Sequence, residues 1–60
     1  MATQTIAVFD DEEVQREALA GHLRKQGFEV LTAADGRAGV ELLQHNMVDL
    51  VLTDYRMPDM

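Results

Sequence analysis

Three short apolar runs alternate with two longer stretches of helical character, and that alternation limits the fold more than any other feature of the chain. Thr5-Ile6-Ala7-Val8-Phe9 is almost continuously apolar and stops abruptly at Asp10-Asp11-Glu12-Glu13, as expected of a strand buried on both faces. The acidic cluster then opens a helix from about Glu12 to Gln26, where negative charge complements the N-terminal dipole. Val14, Ala18, Leu19, His22 and Leu23 share one side of its helical wheel, and Gly27 is a stop signal. Phe28-Glu29-Val30-Leu31-Thr32 reads as a second strand. The turn Ala34-Asp35-Gly36 follows, with Asp35 placed to cap a second helix. That helix runs to about Asn46, with Ala38, Leu42 and Leu43 facing inward. Leu50-Val51-Leu52-Thr53 is a third strand, ending at Asp54, and Tyr55–Met60 is loop-like. The order is βαβαβ, which implies an α/β fold with a parallel sheet and right-handed crossovers. A doubly wound sheet has five or more strands, so three amount to half of one.

Sixty residues allow at most one small domain. Scaling laws give a buried area of roughly 5,800 Å² for such a chain. If about 60% of it is apolar, burial contributes about 87 kcal/mol. Ordering the chain costs about 90 kcal/mol. The two terms cancel, so the isolated chain is expected to be marginal. With no cysteine, disulfides cannot stabilise it, and a cytoplasmic location is expected. The net charge of −6 argues against direct nucleic-acid binding, which needs a basic patch. No apolar run reaches the roughly 20 residues of a membrane span, and Met1–Thr5 has no secretory pattern.

Three carboxylates stand out. Asp10 and Asp11 follow the first strand and Asp54 follows the third. Ligands of parallel sheets bind outside the carboxyl ends of the strands, at the point where strand order reverses. If the first and third strands are neighbours, the three acids converge there. At about 5 Å and an effective dielectric of about 20, each pair repels by roughly 3 kcal/mol. A hard divalent cation such as Mg²⁺ suits carboxylates joined by a carbonyl and waters. Each feature also has a plainer reading, since an acidic pair often only caps a helix and an aspartate after a strand often only ends it.

Phe9-Asp10-Asp11-Glu12 and Asp49-Leu50-Val51-Leu52-Thr53-Asp54-Tyr55-Arg56-Met57-Pro58 resemble the two N-terminal signatures of response-regulator receiver domains. The separation of the acid pair from Asp54 fits as well. Gly27-Phe28-Glu29-Val30 and Ala34-Asp35-Gly36 match the family's run into its second strand and second helix. The resemblance covers residues 1–60 and implies the N-terminal half of a flavodoxin-like receiver fold, strand order 2-1-3, with the C-terminal half absent. It implies that Asp54 is the phosphoacceptor and catalytic nucleophile, forming an acyl phosphate. Asp10, Asp11, Asp54 and the backbone carbonyl of Arg56 would hold Mg²⁺. The donor would be a phosphohistidine on a histidine kinase or phosphotransfer protein, and the signal would pass to an output domain. Such a chain is a phosphoacceptor rather than a turnover enzyme. Phosphoryl transfer is chiefly positioning and charge neutralisation, in keeping with this donor set.

Departures from the family accompany the match. The later strands, which carry a Ser or Thr and a Lys that contact the phosphoryl group, have no counterpart in these sixty residues. Thr53 is expected on the other face, and Lys25, the lone lysine, on the wrong side of the active edge. Phe9 stands where a valine-like residue is commoner and reads as a core substitution. His22 reads as packed, and His45 as serving the helix dipole or solvent. An alternative is a non-catalytic half-domain that self-associates through its exposed strand 50–53. A haloacid-dehalogenase-type phosphatase fits poorly, because its Asp-x-Asp pattern is Asp10-Asp11-Glu12 here.

Overall fold

The computed structural model describes residues 3–53. Five elements follow one another: β1 (Thr5–Phe9), α1 (Glu13–Lys25), β2 (Glu29–Ala33), α2 (Gly36–His45) and β3 (Leu50–Thr53). The strands form one parallel sheet in the order β2-β1-β3; the alternation implied the parallel pairing, and the family resemblance the order. β1 and β3 coincide with their apolar runs, whereas β2 begins one residue later than expected. The cause lies in how α1 ends. Gly27 adopts φ +99°, its N–H donates to the Arg24 carbonyl at 3.0 Å, and the Phe28 N–H donates to the Leu23 carbonyl at 3.3 Å. This pair of bonds is a Schellman stop, which favours glycine at the left-handed position. It draws the Phe28 backbone into the helix terminus.

Side chains alternate across β1 and create two cores. Ile6 and Val8 face α1 with Val30 and Ala20, joined by half-buried Leu23, Phe28 and Leu52. Ala7 and Phe9 face α2 with Ala33, joined by Leu42 and Val48. Both helices lie against β1 and β2. Among the described residues, no helix is long and apolar enough to cross a membrane.

The helix faces depart from expectation. On α1, Val14 is 80% exposed, Ala18, Leu19 and His22 are also exposed, and of the expected set only Leu23 turns inward. His22 is therefore not a packed histidine. The stripe that meets the sheet is Arg16, Ala20 and Leu23, at helical spacing. On α2, Leu42 is half-buried as expected, but Ala38 and Leu43 are exposed, and Gly36 and Gly39 are buried instead. Small residues carry these contacts because they let the helix approach closely. A Cβ on Gly39 would lie 2.8 Å from Cε2 of Phe9, so the fully buried Phe9 ring occupies the room that the glycine leaves. Phe9 thus lies in the core, as its position suggested.

Candidate functional site

Asp10 is the first residue beyond β1, and the sheet places it in the middle. The register closes with Phe9 opposite Ala33 on one side and opposite Thr53 on the other. Its N–H continues the ladder by donating to the Ala33 carbonyl at 3.1 Å. The residue is only 5% exposed. Its carboxylate Oδ1 accepts from the Glu12 N–H at 2.9 Å, a local side-chain turn that leads the chain into α1. Glu12 occupies the cap position without a side-chain cap bond, so Asp10 supplies the carboxylate at the helix entrance. The capping reading of Asp10 is therefore correct for one oxygen.

The other oxygen, Oδ2, makes no hydrogen bond within the described residues, and it is not a sealed, orphaned atom. An ionised carboxylate offers about four acceptor sites, so a ligand can be met there. Asp11 follows and is exposed. Two hard oxygen donors therefore sit side by side at the carboxyl end of the central strand, a donor chemistry that fits Mg²⁺. Asp54 and Arg56, the remaining expected ligands, lie outside the described residues. Among the described residues, no three His, Asp or Glu side chains converge in a metal-binding arrangement.

Arg16 does not belong to the expected site, yet it touches Asp10. Its Nη1 donates to the Asp10 main-chain carbonyl at 3.0 Å, and its side chain is 15% exposed. A signal for it was present in the sequence. Arg16 stands four residues before Ala20 and seven before Leu23, in phase with the buried stripe. A cleft of about 140 Å³ opens beside Asp10, lined also by Gln15, Leu19, Leu52 and Thr53. That volume is below the roughly 300 Å³ of ordinary small-molecule sites. Lys25 ends α1, a helix that starts beside Asp10 and runs back along the sheet, so this lysine is remote from the acid pair.

Comparison with known proteins extends beyond geometry. The family model "Response regulator receiver domain" matches residues 6–60. The autoinducer 1 sensor kinase/phosphatase LuxN of Vibrio campbellii is 41% identical over 56 residues, covering 93% of this chain and 7% of that protein. The sensor histidine kinase RcsC of Escherichia coli K12 is 40% identical over 55 residues, covering 92% of this chain and 6% of that protein. The structure of the chemotaxis response regulator CheY4 of Vibrio cholerae superposes with a TM-score of 0.92 at 32% identity, covering 98% of this chain and 49% of that one. The chain thus spans a small fraction of these two curated relatives and about half of that solved structure.

Proposed function

We propose that this chain, which belongs to the response regulator receiver domain family, accepts a phosphoryl group on Asp54 from a partner phosphohistidine. Receivers of this family serve two-component signalling, and the signal would pass onward to an output domain. The observation that carries the reading is Asp10: a nearly buried aspartate at the end of the central strand, with one carboxylate oxygen fixed and the other without a hydrogen bond among the described residues. Asp54 is the residue directly after the strand paired beside it. Two of its relatives are sensor kinases by name, which supports a histidine kinase or phosphotransfer protein as donor.

Asp10 and Asp11, with Asp54 and the Arg56 carbonyl, would hold Mg²⁺. When bound, the ion neutralises charge that builds on the phosphoryl oxygens. The chain's own part is the nucleophile. A carboxylate oxygen of Asp54 forms a bond to phosphorus, the P–N bond to the donor imidazole breaks, and the imidazole nitrogen keeps the electron pair. The product is an acyl phosphate, made once per chain without turnover.

Intact-mass spectrometry after incubation with acetyl phosphate and Mg²⁺ tests the reading. The gain of one phosphoryl mass is expected, and Asp54→Asn should abolish it. The Ser or Thr and the Lys of later receiver strands are not among these sixty residues. Losing one such preorganised donor costs about 2.7–4 kcal/mol of transition-state stabilisation, so labelling should be slow. Labelling that survives Asp54→Asn would overturn the assignment.

A second reading, self-association through residues 50–53, is favoured by one observation. Leu50 and Val51 remain 51% and 38% exposed on a strand that pairs with β1 alone among the described strands. Apolar edges of this kind template further strands. Sedimentation of Val51→Lys against the parent chain tests it, and an unchanged oligomeric state would refute it. Val51 serves better than Leu52, which is half-buried against the α1-side core.

A further inference from the structure

Arg16 occupies a position that the helix pattern reserves for a core side chain. With Ala20 and Leu23 it forms the stripe of α1 that meets the sheet. Covering a guanidinium is costly unless its donors are satisfied. Its contact with Glu17, the next residue, is long at 3.4 Å, and that carboxylate side chain is 52% exposed. The better bond, 3.0 Å from Nη1, goes to the main-chain carbonyl of Asp10, six residues back.

That carbonyl lies just past the last register pair of β1 with β3. Three polar atoms of Asp10 are thus fixed, each by a different part of the fold. Its N–H is held by β2 through Ala33, its Oδ1 by the entrance of α1 through Glu12, and its carbonyl by the body of α1 through Arg16. Oδ2 is the remaining oxygen, without a hydrogen bond among the described residues.

We propose that Arg16 is a positioning residue for the acid pair: by holding the Asp10 carbonyl, it sets the direction in which Oδ2 of Asp10, and the following Asp11, meet a divalent cation. This inference rests on the Mg²⁺ reading of Asp10 and Asp11 given above. The alternative role for Arg16 is a counter-charge to the run Asp10–Glu13, and the two roles predict opposite signs. Removing a positive charge beside the site tightens cation binding if charge is all that matters. Removing a group that orients a metal ligand weakens it, typically by about 10–100-fold.

The test follows amide shifts by NMR in the full chain during Mg²⁺ titration, for the parent, Arg16→Met and Arg16→Lys. Arg16→Met should weaken Mg²⁺ binding about tenfold, at the low end of that range because the contact is with main chain. In metal-free protein its Glu12 amide should exchange faster, since that N–H is held by Asp10 Oδ1, while the Ala20 and Val30 amides keep their protection. Arg16→Lys keeps the charge but not the planar fork, and should fall between the two. Unchanged or tighter Mg²⁺ binding in Arg16→Met, with Glu12 exchange unmoved, overturns the proposal. If Arg16→Met loses its dispersed spectrum, Arg16→Lys decides, and parental affinity and Glu12 exchange there overturn it equally. If the parent shows no Mg²⁺-dependent shift at Asp10 and Asp11, the metal reading fails. The metal-free Glu12 exchange then still decides whether Arg16 holds the loop.

Discussion

β1 and β3 are close relatives in composition, pair with each other in parallel and sit in the same sheet, yet they live in different surroundings. Ile6, Ala7, Val8 and Phe9 are all buried, whereas Leu50 and Val51 stay substantially exposed. The difference does not come from the strands' own hydrophobicity. β1 has a strand on each side and a helix over each face, while both helices lie over β1 and β2, and β3 joins the α1-side core through Leu52 at its margin. β1 is therefore held by packing. β3 is held by its ladder, by the half-buried Leu52 and by Asp49, whose N–H donates to the Thr5 carbonyl at 2.8 Å and whose Oδ2 accepts from the Thr5 N–H at 2.7 Å. For function the contrast means that Asp10 rides on the best-fixed strand of the molecule.

The contrast can be broken or sharpened by substitution. The largest effect should follow Phe9→Ala, since emptying a buried aromatic site costs about 3–5 kcal/mol. A chain with so little surplus stability should then lose its helical circular dichroism. Val51→Ala, a similar truncation on β3, should cost less than about 1 kcal/mol, in line with its exposure. Equal losses in urea titrations would erase the distinction between the strands.

Gly39→Ala comes next. Its new methyl meets a rigid, buried Phe9 ring, and overpacking costs about 1–3 kcal/mol. The gain in helix propensity, about 1 kcal/mol, offsets only part of that. Combining it with Phe9→Val should give a double mutant more stable than additivity allows, as measured by thermal melting. Strict additivity would show that the two residues do not share the space.

Asp49→Ala should act locally. Losing the bond to Thr5 costs about 1 kcal/mol, and it should appear as faster amide exchange in β3 with β1–β2 protection intact. Uniform exchange throughout the sheet would mean that β3 is not independently held. The smallest effect should be Val14→Ser, within about 0.5 kcal/mol because this valine is almost wholly exposed. A large loss would restore the inward face expected from the helical wheel.

Strand identity, parallel pairing and the Asp35 cap were legible because they rest on local patterns, whereas the strand order 2-1-3 came from the family resemblance. The apolar runs fix β1 and β3, the alternation implies parallel pairing, and the Asp35 side chain accepts from the Ala38 N–H at 2.8 Å as a cap should. The helix faces were not legible, for a physical reason. The apolar side of α1 spans half the wheel, and hydropathy ranks Val14 above Ala20, although close approach to a sheet selects the smaller residue. The same argument hides Gly36 and Gly39 on α2. Arg16 was overlooked because a charged residue is assigned outward by default, and only its phase with Ala20 and Leu23 shows otherwise. Of the expected site, Asp10 and Asp11 occupy the predicted strand end, while Asp54 and Arg56 lie outside the described residues.

Under the proposed phosphoacceptor function, the carboxyl end of β1 would be a prepared cation site serving Asp54. Titrating Mg²⁺ into the ¹⁵N-labelled chain and mapping the shifted amides tests it most directly. Shifts should concentrate at Asp10, Asp11, Glu12 and Asp54, with Gln4 and Glu29 at the other end of the sheet unmoved. Shifts gathered instead at Glu13, Glu17 and Glu41 would show only diffuse attraction to an acidic surface and would contradict it.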